Sequence, residues 1–563
     1  MRNSRFSLLL AILAALALTS AVARASGAVI KGVVTDSSGK PVRGATVKAT
    51  LDTKSVSRFT QADGRYEIAL APGTYAVSVD AYGFGIKQAS VDSTKGGDTN
   101  FTLSPVALTL SRLTGSELES IAPDSKEKKL LSASCIECHA FPTIVHRAGS
   151  TADEWREFLP GMVRGATDEP FANASPQTLD VLSAALGKLF GPDSSAFGPD
   201  ASAKNWTSLK HVDLSDDALR ATIVEYTISK VASRPHSVEI DTKSNSAWFA
   251  EESFFGNKAV RFDIDSETLH EYPLLTEKAR PHTGAVAKDG TYYVALAHAN
   301  DPAKLASVDP KTGAVKQYDW PEKTKTPAHT LTIDRAGNIW FSGSPSGEIW
   351  TFDTETKQFK TYKNPPPQTV PKGSAQDWEE VGGEPSRPPR AATYDVAVDN
   401  DGMIWFSEIS IGTLVRLDPT TGATKDYHPD GVVSIRGITV DPQDNLWFGD
   451  FHGHRFGKMN VKTGAVKFYK APTPNATAYG VTFNPVDGNL WYADMNGNNI
   501  TRFNPRTEKF TEFRIPSRPD RTYARFIGAD SKGRVWFTEY FGDKIGYVDP
   551  NGGEDNARLA SLK

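Results

Sequence analysis

The two cysteines of this 563-residue chain lie close together in Cys135-Ile136-Glu137-Cys138-His139. Two thiols at this spacing can form thioethers to the two vinyl groups of a haem, and the next residue then places an imidazole under the iron. The motif therefore predicts one covalent haem c, attached through Cys135 and Cys138 and ligated by His139. A dithiol redox pair is the alternative, but it needs no following histidine, and no thioredoxin-like βαβ pattern surrounds the motif.

The same part of the chain offers two candidates for the second axial ligand of this haem. It holds one methionine, Met162, and one further histidine, His146. Met162 follows Trp155 in a segment with helical periodicity, and here the sequence resembles small c-type cytochrome domains. The resemblance implies Met162 as the ligand, which would raise the reduction potential and suit an electron carrier. His146 and an open position are the alternative ligands, and Met162 could instead be core filler.

The N-terminus has the pattern of a secretory signal peptide over residues 1–25. Arg2 and Arg5 precede a short apolar run from Phe6 to Leu18, and small residues follow at Ala23 and Ala25. A single membrane anchor is the alternative, but the apolar run is short for a span. The sequence therefore predicts a periplasmic or secreted protein with no membrane span in its mature form.

The composition excludes several classes of protein. Lys and Arg number 63 against 67 Asp and Glu, so the formal net charge of -4 gives no support for nucleic-acid binding. Two cysteines are too few for a disulfide-rich scaffold. The expected partners are a periplasmic redox protein, a small-molecule substrate, or both.

Residues 28–105 alternate apolar and polar side chains in short runs separated by turn signals such as Asp63-Gly64 and Pro72-Gly73. This pattern predicts a small antiparallel β-sandwich. With Gly32-Val33-Val34-Thr35-Asp36 and Pro41-Val42-Arg43-Gly44-Ala45, the segment resembles the carboxypeptidase regulatory-like domain. The resemblance implies a structural or adhesive module.

Residues 115–192 change to helical periodicity. The expected helices are Ser116–Ile121, Lys126–Ser134, Ala152–Val163 and Ser175–Phe190. Because the haem motif follows the second of them, we expect a small all-α cytochrome c-like haem domain.

Residues 219–550 form a repeat array with a period of roughly 40–45 residues, typical of β-propeller blades of four strands. The marker is an aromatic pair in each repeat: Trp248-Phe249, Tyr292-Tyr293, Trp340-Phe341, Trp405-Phe406, Trp447-Phe448, Trp491-Tyr492 and Trp536-Phe537. The segment 221–228 resembles an outer strand and is expected to close the ring on the last repeat. An insert rich in Pro and Gly, residues 364–390, lengthens the spacing between the third and fourth markers. The whole chain is thus predicted to be multidomain and mainly β, with a small β-sandwich, a small all-α domain and a seven-bladed β-propeller.

Two sets of side chains are expected to face the channel of this propeller. The first set lies at the starts of the inner strands and consists of His236, His282, His329, Tyr394, Arg436, Tyr479 and Arg525. Its three histidines could bind Zn or Cu, or orient a substrate. The second follows the aromatic markers and is acidic in five repeats: Glu251, Glu408, Asp450, Asp494 and Glu539. These acids could bind a divalent cation, or they could satisfy loop backbones.

The repeats also carry a family resemblance. Trp248-Phe249-Ala250-Glu251 and Trp536-Phe537-Thr538-Glu539, followed by Asp543-Lys544-Ile545-Gly546, are similar to the virginiamycin B (streptogramin) lyase family. The resemblance implies a propeller fold and, for the lyases, a Mg-assisted His/Glu site. The matching catalytic candidates here are Asp450 and His452, with Glu408 near them, while Ser410 stands where a second histidine would be expected.

These patterns support three hypotheses on function. The first is an exported c-type haem protein for electron transfer, whose propeller binds or processes a substrate. The second is a metal-dependent carbon–oxygen lyase of the streptogramin-lyase type. The third is a binding propeller without catalysis, to which the haem domain is attached.

Overall fold

The computed structural model describes residues 28–136, 140–165, 175–198, 209, 211–228, 232–253, 256–297, 303–320, 327–343, 347–383, 389, 392–520 and 522–552, with the backbone alone at 161–165 and 303. The predicted signal peptide, Cys138, His139 and the side chain of Met162 lie outside the described residues. Within the described ranges, no helix is both long and apolar enough to cross a membrane. The fold is multidomain and mainly β.

The N-terminal unit consists of two small sheets. Its strands are β1 (Ala28–Asp36), β2 (Thr46–Leu51), β3 (Lys54–Phe59), β4 (Arg65–Leu70), β5 (Thr74–Asp80), β6 (Lys87–Asp92) and β7 (Phe101–Leu103). One sheet has the order β4-β1-β7, and the other contains β3-β2-β5-β6. Alternation places Tyr75, Val77 and Val79 of β5 in the core between the sheets. The pairing of β1 with β7 is parallel, so this unit is not purely antiparallel as the sequence predicted.

The helical unit follows the N-terminal sheets. Its helices are α1 (Gly115–Ile121), α2 (Lys126–Ser134), α3 (Phe141–Val145), α4 (Ala152–Gly165) and α5 (Pro176–Phe190). The side chains of Thr114, Ser125 and Ser175 accept backbone N–H groups at the starts of α1, α2 and α5, which satisfies donors that a helix leaves free. All four helices expected from periodicity are present, and α3 is additional. A further short helix, α6 (Asp216–Leu219), leads into the repeats.

The repeats form four-stranded antiparallel sheets. Sheet 1 consists of β9 (Glu239–Asp241), β10 (Ser246–Glu251), β11 (Lys258–Asp263) and β12 (Thr268–Pro273). Sheet 2 consists of β13 (Pro281–Val286), β14 (Tyr292–Leu296), β15 (Ala303–Val308) and β16 (Val315–Asp319). Sheet 3 consists of β17 (Ala328–Ile333), β18 (Ile339–Gly343), β19 (Glu348–Phe352) and β20 (Phe359–Lys363). The helix α7 (Ala375–Gly382) lies in the insert that follows β20.

Sheets 4 to 6 continue the series along the chain. Their strands are β21 (Thr393–Val398), β22 (Ile404–Glu408), β23 (Thr413–Leu417), β24 (Thr424–Tyr427), β25 (Ile435–Val440), β26 (Asn445–Asp450), β27 (Arg455–Asn460), β28 (Val466–Tyr469), β29 (Ala478–Asn484), β30 (Asn489–Asp494), β31 (Asn499–Asn504) and β32 (Lys509–Arg514). The first strand of each sheet contacts the first strand of the next.

Sheet 7 joins the two ends of the array. It consists of β33 (Ala524–Ala529), β34 (Val535–Glu539), β35 (Lys544–Asp549) and β8 (Thr222–Thr227), and β8 pairs antiparallel with β35. Because β33 also contacts β9 of sheet 1, the described sheets form a closed circle of seven. The outer edge of β8 pairs with β3, so sheet 7 continues into the N-terminal unit as one eight-stranded sheet. This junction protects the edge of β8, and it was not expected from the sequence.

In sheets 3 to 7, the marker tryptophan anchors the turn between the first two strands. The indole N–H of Trp447 donates to Asp441 at 2.8 Å, and the same carboxylate accepts the backbone N–H groups of Gln443 and Asn445. Trp340, Trp405 and Trp536 make the same bond to Asp334, Asp399 and Asp530. The aromatic register that revealed the repeats therefore reflects a hydrogen-bonded turn in sheets 3 to 7, whereas Nε1 of Trp248 in sheet 1 has no hydrogen-bond partner among the described residues.

Candidate functional site

A ring of seven side chains projects from the starts of the first strands, and we call it the inner ring: His236, His282, His329, Tyr394, Arg436, Tyr479 and Arg525. In sheets 2 to 7, the strand register shifts between the first strand residue and the fourth, and the ring residue is the second. A bulge of this kind re-aims a side chain, so the local backbone explains why all members of the ring can turn the same way.

The histidines occupy consecutive places in the inner ring. The ring centroids of His236 and His282 are 3.6 Å apart, those of His282 and His329 are 4.2 Å apart, and Tyr394 continues the row 4.3 Å from His329. Burial lowers the pKa of His282 to about 4 and lowers the pKa values of the other two histidines as well. The three imidazoles are therefore neutral at physiological pH, the form in which imidazole can act as a ligand.

Glu252 completes a ligand-like group with two of these histidines. Among the described residues, His236, His282 and Glu252 form the one group of three or more His, Cys, Asp or Glu that could hold a metal ion, with candidate ligand atoms all within 4.8 Å of one another. Arg280 Nη2 donates to Glu252 Oε1 at 2.7 Å. Burial would raise the pKa of Glu252, but the charge of Arg280, followed by those of other neighbours, holds it at about 2.

The other half of the inner ring is aromatic and cationic. Arg436 Nη1 donates to the Tyr394 hydroxyl at 2.8 Å, and the Tyr394 and Tyr479 hydroxyls share a hydrogen bond. The guanidinium of Arg525 lies 3.9 Å from the ring centroid of Tyr540. This half can offer planar cations and phenol groups to an anionic or aromatic ligand.

Glu252 and Arg280 were missed by sequence reasoning, which assigned the third histidine instead. A signal existed, because Glu252 follows Glu251 one place after the repeated acidic position. Most other repeats have an apolar or aromatic residue there, such as Ile409, Phe451 and Tyr540. A charged residue at a position that is apolar or aromatic in most repeats is a signal that would have identified Glu252.

In the described part of the chain, no three members of the acidic set beside the markers belong to a metal-ligand group. Each acid instead serves its own sheet. Asp494 Oδ1 accepts the backbone N–H groups of Thr477 and Gly497 at 2.8 and 2.9 Å. Glu251 and Glu539 lie 3.9 and 3.8 Å from Lys258 and Lys544 of the next strands. These contacts agree with the alternative that the acids satisfy backbone groups and neighbouring side chains, and cation binding by this ring stays a prediction.

The lyase-type candidates lie on two neighbouring sheets. Asp450 accepts the backbone N–H groups of Val433 and Ser434 with Oδ1, and its Oδ2 lies 2.6 Å from Arg455 Nη2. Its carboxylate is therefore engaged by its own sheet. His452 is buried beside Phe451, at 4.9 Å between ring centroids.

Glu408, the third lyase-type candidate, ends β22 of sheet 4. Asn364 Nδ2 donates to its Oε1 at 3.0 Å. Burial raises the pKa of Glu408 to about 8. The side chain is therefore a protonated acid at neutral pH rather than a carboxylate base.

Cys135 caps the C-terminal end of α2 and is buried. It belongs to an apolar cluster that also includes Phe141, Trp155 and Leu159 of the helical unit and extends to Tyr394 and Tyr479 of the inner ring. Cys135 and the inner ring therefore belong to one continuous apolar core.

Two buried polar atoms of the helical unit have no hydrogen-bond partner among the described residues: Nε1 of Trp155 and Nε of Arg147. The guanidinium of Arg147 lies 3.8 Å from the centroid of Phe158 and 5.6 Å from that of Trp155. An anionic acceptor would satisfy both donors, as the propionates of a haem would. His146, the alternative axial ligand, is exposed, and its Nε2 lies 3.0 Å from the backbone oxygen of Asp520.

The helical unit is attached to sheets 4 to 6 through polar contacts and through the insert. Ser116 N donates to Asn496 O at 2.9 Å, at the start of α1. The insert helix α7 packs against α2, where the Lys129 ammonium lies 5.7 Å from the Trp378 ring centroid. The insert therefore bridges the ring of sheets and the helix that carries Cys135.

Comparison with known proteins agrees with these observations at the level of domains. The Virginiamycin B lyase family profile matches residues 385–562, and the Carboxypeptidase regulatory-like domain profile matches residues 29–105. A virginiamycin B lyase of Nocardia farcinica (strain IFM 10152) is 33% identical over 82 residues, which are 14% of this chain and 28% of that relative. The chain thus spans less than a third of the length of the curated relative it matches.

Solved structures are similar to a larger share of the chain. A streptogramin B lyase structure aligns with 60% of this chain and 99% of its own, at 21% identity and a TM-score of 0.50. A virginiamycin B lyase from Staphylococcus aureus aligns with 58% of this chain and 99% of its own, at 20% identity and a TM-score of 0.48. At such identity the first likeness concerns the propeller-like fold alone. The chain carries a virginiamycin B lyase-like domain, preceded by a carboxypeptidase regulatory-like domain.

Proposed function

We propose that the protein is an exported c-type haem protein, periplasmic or secreted, in which a cytochrome c-like helical domain is joined to a seven-bladed, lyase-like β-propeller and carries electrons to or from a partner or substrate. The observation that carries the proposal is the run Cys135-Ile136-Glu137-Cys138-His139 at the end of a buried helix. The N-terminal export pattern and the closed circle of seven sheets support the other parts of it.

The described residues around Cys135 suit a haem. Cys135 and Cys138 would attach it, His139 would be one axial ligand and Met162 the other. Arg147 and Trp155 would donate to its propionates, because their buried N–H groups otherwise lack acceptors. When bound, such a group supplies one-electron redox chemistry, while the apolar helices around it exclude water and help to set the potential.

The inner ring is the proposed binding site of the propeller. Tyr394 and Tyr479 belong to the same apolar cluster as Cys135, so the helical domain and the inner ring share one core. A ligand in the channel would meet neutral imidazoles on one side and Arg436 and Arg525 on the other. This distribution favours a small anionic or aromatic molecule.

The lyase alternative rests on the family match over residues 385–562. It would require Asp450, His452 and Glu408 to act with a metal ion such as Mg. One observation weighs against it: Asp450 is engaged by Arg455 and by two backbone N–H groups.

Spectroscopy of the full chain, exported together with haem maturation factors, tests the proposal. A Soret band and a sharp reduced α-band are expected, and both should be lost from the Cys135→Ala/Cys138→Ala variant. Met162→Ala should abolish the methionine–iron charge-transfer band, and the matched control His146→Gln should keep it. Covalent haem in the double cysteine variant would overturn the proposal. Chelator-sensitive opening of a cyclic depsipeptide, restored by Mg, would favour the lyase instead.

A further inference from the structure

Four polar atoms in the channel are buried without hydrogen-bond partners, and they cluster in one place. They are Nδ1 and Nε2 of His236, Nδ1 of His282 and Oε2 of Glu252. All three side chains are at least nine-tenths buried. A buried polar group left unsatisfied costs about 1–3 kcal/mol, so a cluster of four requires a physical explanation.

Hydrogen bonds orient two of these side chains, Glu252 and His282. Arg280 donates a hydrogen bond to Oε1 of Glu252, and Oε2 has no hydrogen-bond partner among the described residues. The backbone of His329 hydrogen-bonds to the His282 ring, and since Nδ1 has no partner, that bond falls to Nε2. One ring nitrogen bound to the backbone and the other left open is the usual arrangement of a metal-ligating histidine.

We propose that His236, His282 and Glu252 bind one divalent transition-metal ion inside the ring of sheets. Their candidate ligand atoms lie within 4.8 Å of one another, so small side-chain movements bring them around a single ion. Two imidazole nitrogens and one carboxylate oxygen suit Zn²⁺ or Fe²⁺, whereas Mg²⁺ prefers oxygen ligands throughout. Three protein ligands leave at least one coordination position open.

His329 is not one of the proposed metal ligands, although its ring lies next to that of His282. Its Nδ1 lies 2.9 Å from the Thr330 hydroxyl, and its ring also hydrogen-bonds to the backbone of Tyr394. Both sides of the ring are therefore occupied. The three-histidine set expected from the sequence is replaced by two histidines and a carboxylate.

The charge around the site indicates what the open position takes. Arg280 already offsets the Glu252 carboxylate, and Arg525 acts electrostatically on both Glu252 and His236. A bound divalent ion would add two positive charges to this buried region. An anion, such as hydroxide or a substrate carboxylate, is therefore the expected exogenous ligand.

Zinc binding by the full chain tests the site. After removal of metals by chelation, the wild-type protein should take up one Zn²⁺ per chain, measured by elemental mass spectrometry and by competition with a chelating dye. Glu252→Gln and His282→Gln should each weaken binding by more than about 100-fold, beyond the range of roughly 10–100-fold expected for outer-shell partners. His329→Gln, a matched control on the neighbouring strand, should bind Zn²⁺ as the wild type does.

A second measurement keeps the test independent of how the variants fold. X-ray absorption at the zinc edge of the wild-type protein should show two imidazoles and at least one oxygen ligand, and iron in a haem does not contribute at that edge. Absence of stoichiometric Zn²⁺ would overturn the proposal. So would a shell without imidazole, or loss of binding in His329→Gln with binding retained in Glu252→Gln. The result does not depend on whether haem is attached.

Discussion

His454 and Glu119 form an ion pair between the ring of sheets and the helical unit, with His454 Nε2 at 3.2 Å from Glu119 Oε1. Asn496 Nδ2 donates to the other oxygen of the same carboxylate at 2.6 Å. Both oxygens of Glu119 are thus bound by loops of sheets 5 and 6. Helix α1, the first of the helical unit, is thereby attached to the propeller-like domain through a buried charge.

This pair should make the stability of the protein depend on pH. Burial would raise the pKa of Glu119, but His454 lowers it below 4.5; burial would lower the pKa of His454, but Glu119 raises it above 6.5. The contribution of Glu119 is lost as the pH falls through its lowered pKa, and that of His454 as the pH rises through its raised pKa. The pair therefore stabilises the protein most between about pH 4.5 and 6.5.

His454→Asn tests this window. Asparagine tolerates the left-handed backbone of this position, where φ is 51°. Urea unfolding at pH 5.5 should show a loss of about 1–3 kcal/mol, and a smaller loss at pH 8.5. Adding Glu119→Gln should cost little more, because the two residues share one interaction. An equal loss at both pH values, or additive losses, would contradict the ion pair.

Glu408→Gln is expected to stabilise the protein at alkaline pH. Burial raises the pKa of Glu408 to about 8, so its contribution is complete below about pH 4.5 and is lost as the pH rises through 8. Glutamine is isosteric and neutral, and its carbonyl oxygen can still accept from Asn364. The variant should match the wild type near pH 5 and exceed its free energy of unfolding by about 1–3 kcal/mol above pH 8.

The matched control for this prediction is Glu355→Gln, which changes an exposed carboxyl on the neighbouring sheet. Its effect should stay within about 0.5 kcal/mol at every pH. If Glu408→Gln behaved in the same way, Glu408 would be an ordinary carboxylate at neutral pH, and its role as a base in the lyase alternative would be restored.

The inner ring could be predicted from the sequence because its position is set by a repeated local pattern. In sheets 3 to 7 the marker tryptophan fixes its turn through a bond to the turn aspartate, and the ring residue lies at a nearly constant place before the marker. The strand at Thr222–Thr227 could be predicted for the same reason, since the last repeat lacked a fourth strand.

Contacts between distant segments could not be predicted in this way. The pairing of β3 with β8 joins two edges, and an edge strand carries no sequence signal for its partner. Glu252 was missed because repeat logic looks for what the repeats share, whereas this residue is an exception to them. The packing of α7 on α2 depends on the shape of an insert that has no counterpart in the other repeats.

Gly382→Ala should destabilise the contact between the insert and the helix that carries Cys135. A Cβ atom at Gly382 would lie 2.5 Å from Cβ of Leu130, so the two helices would have to separate. In a helix without this contact the change would stabilise by up to about 1 kcal/mol. Here we expect a loss of about 1–3 kcal/mol in the free energy of unfolding.

The sign of this effect is the test, and Val381→Ala is its control. Val381 precedes Gly382 in the same helix and is 55% exposed, so its truncation should change stability by less than about 0.5 kcal/mol. Limited proteolysis of the insert should become faster in Gly382→Ala alone. A stabilised Gly382→Ala protein would show that α7 does not pack closely on α2.

Glu225 of β8 should be the strongest single connection between the N-terminal unit and the ring of sheets. Its two carboxylate oxygens lie 2.9 Å from Lys48 Nζ of β2 and 2.8 Å from Lys544 Nζ of β35, and Ser517 Oγ donates to it at 2.7 Å. Burial would raise the pKa of Glu225, but the two ammonium groups hold it well below its usual value. Lys48 therefore depends on this carboxylate for its countercharge, while Lys544 also has Glu539 at 3.8 Å.

Glu225→Gln should cost up to about 3–5 kcal/mol, because it leaves the partly buried ammonium group of Lys48 uncompensated and leaves Lys544 with Glu539 alone. Glu267→Gln is the matched control, since Glu267 pairs with Lys54 at the same junction but both side chains are more than a third exposed. An exposed pair of this kind contributes about 0–1 kcal/mol. Chemical unfolding of both variants at neutral pH and moderate salt measures the difference. Equal costs would mean that the junction is held by the backbone pairing of β3 with β8, and that the charges contribute little.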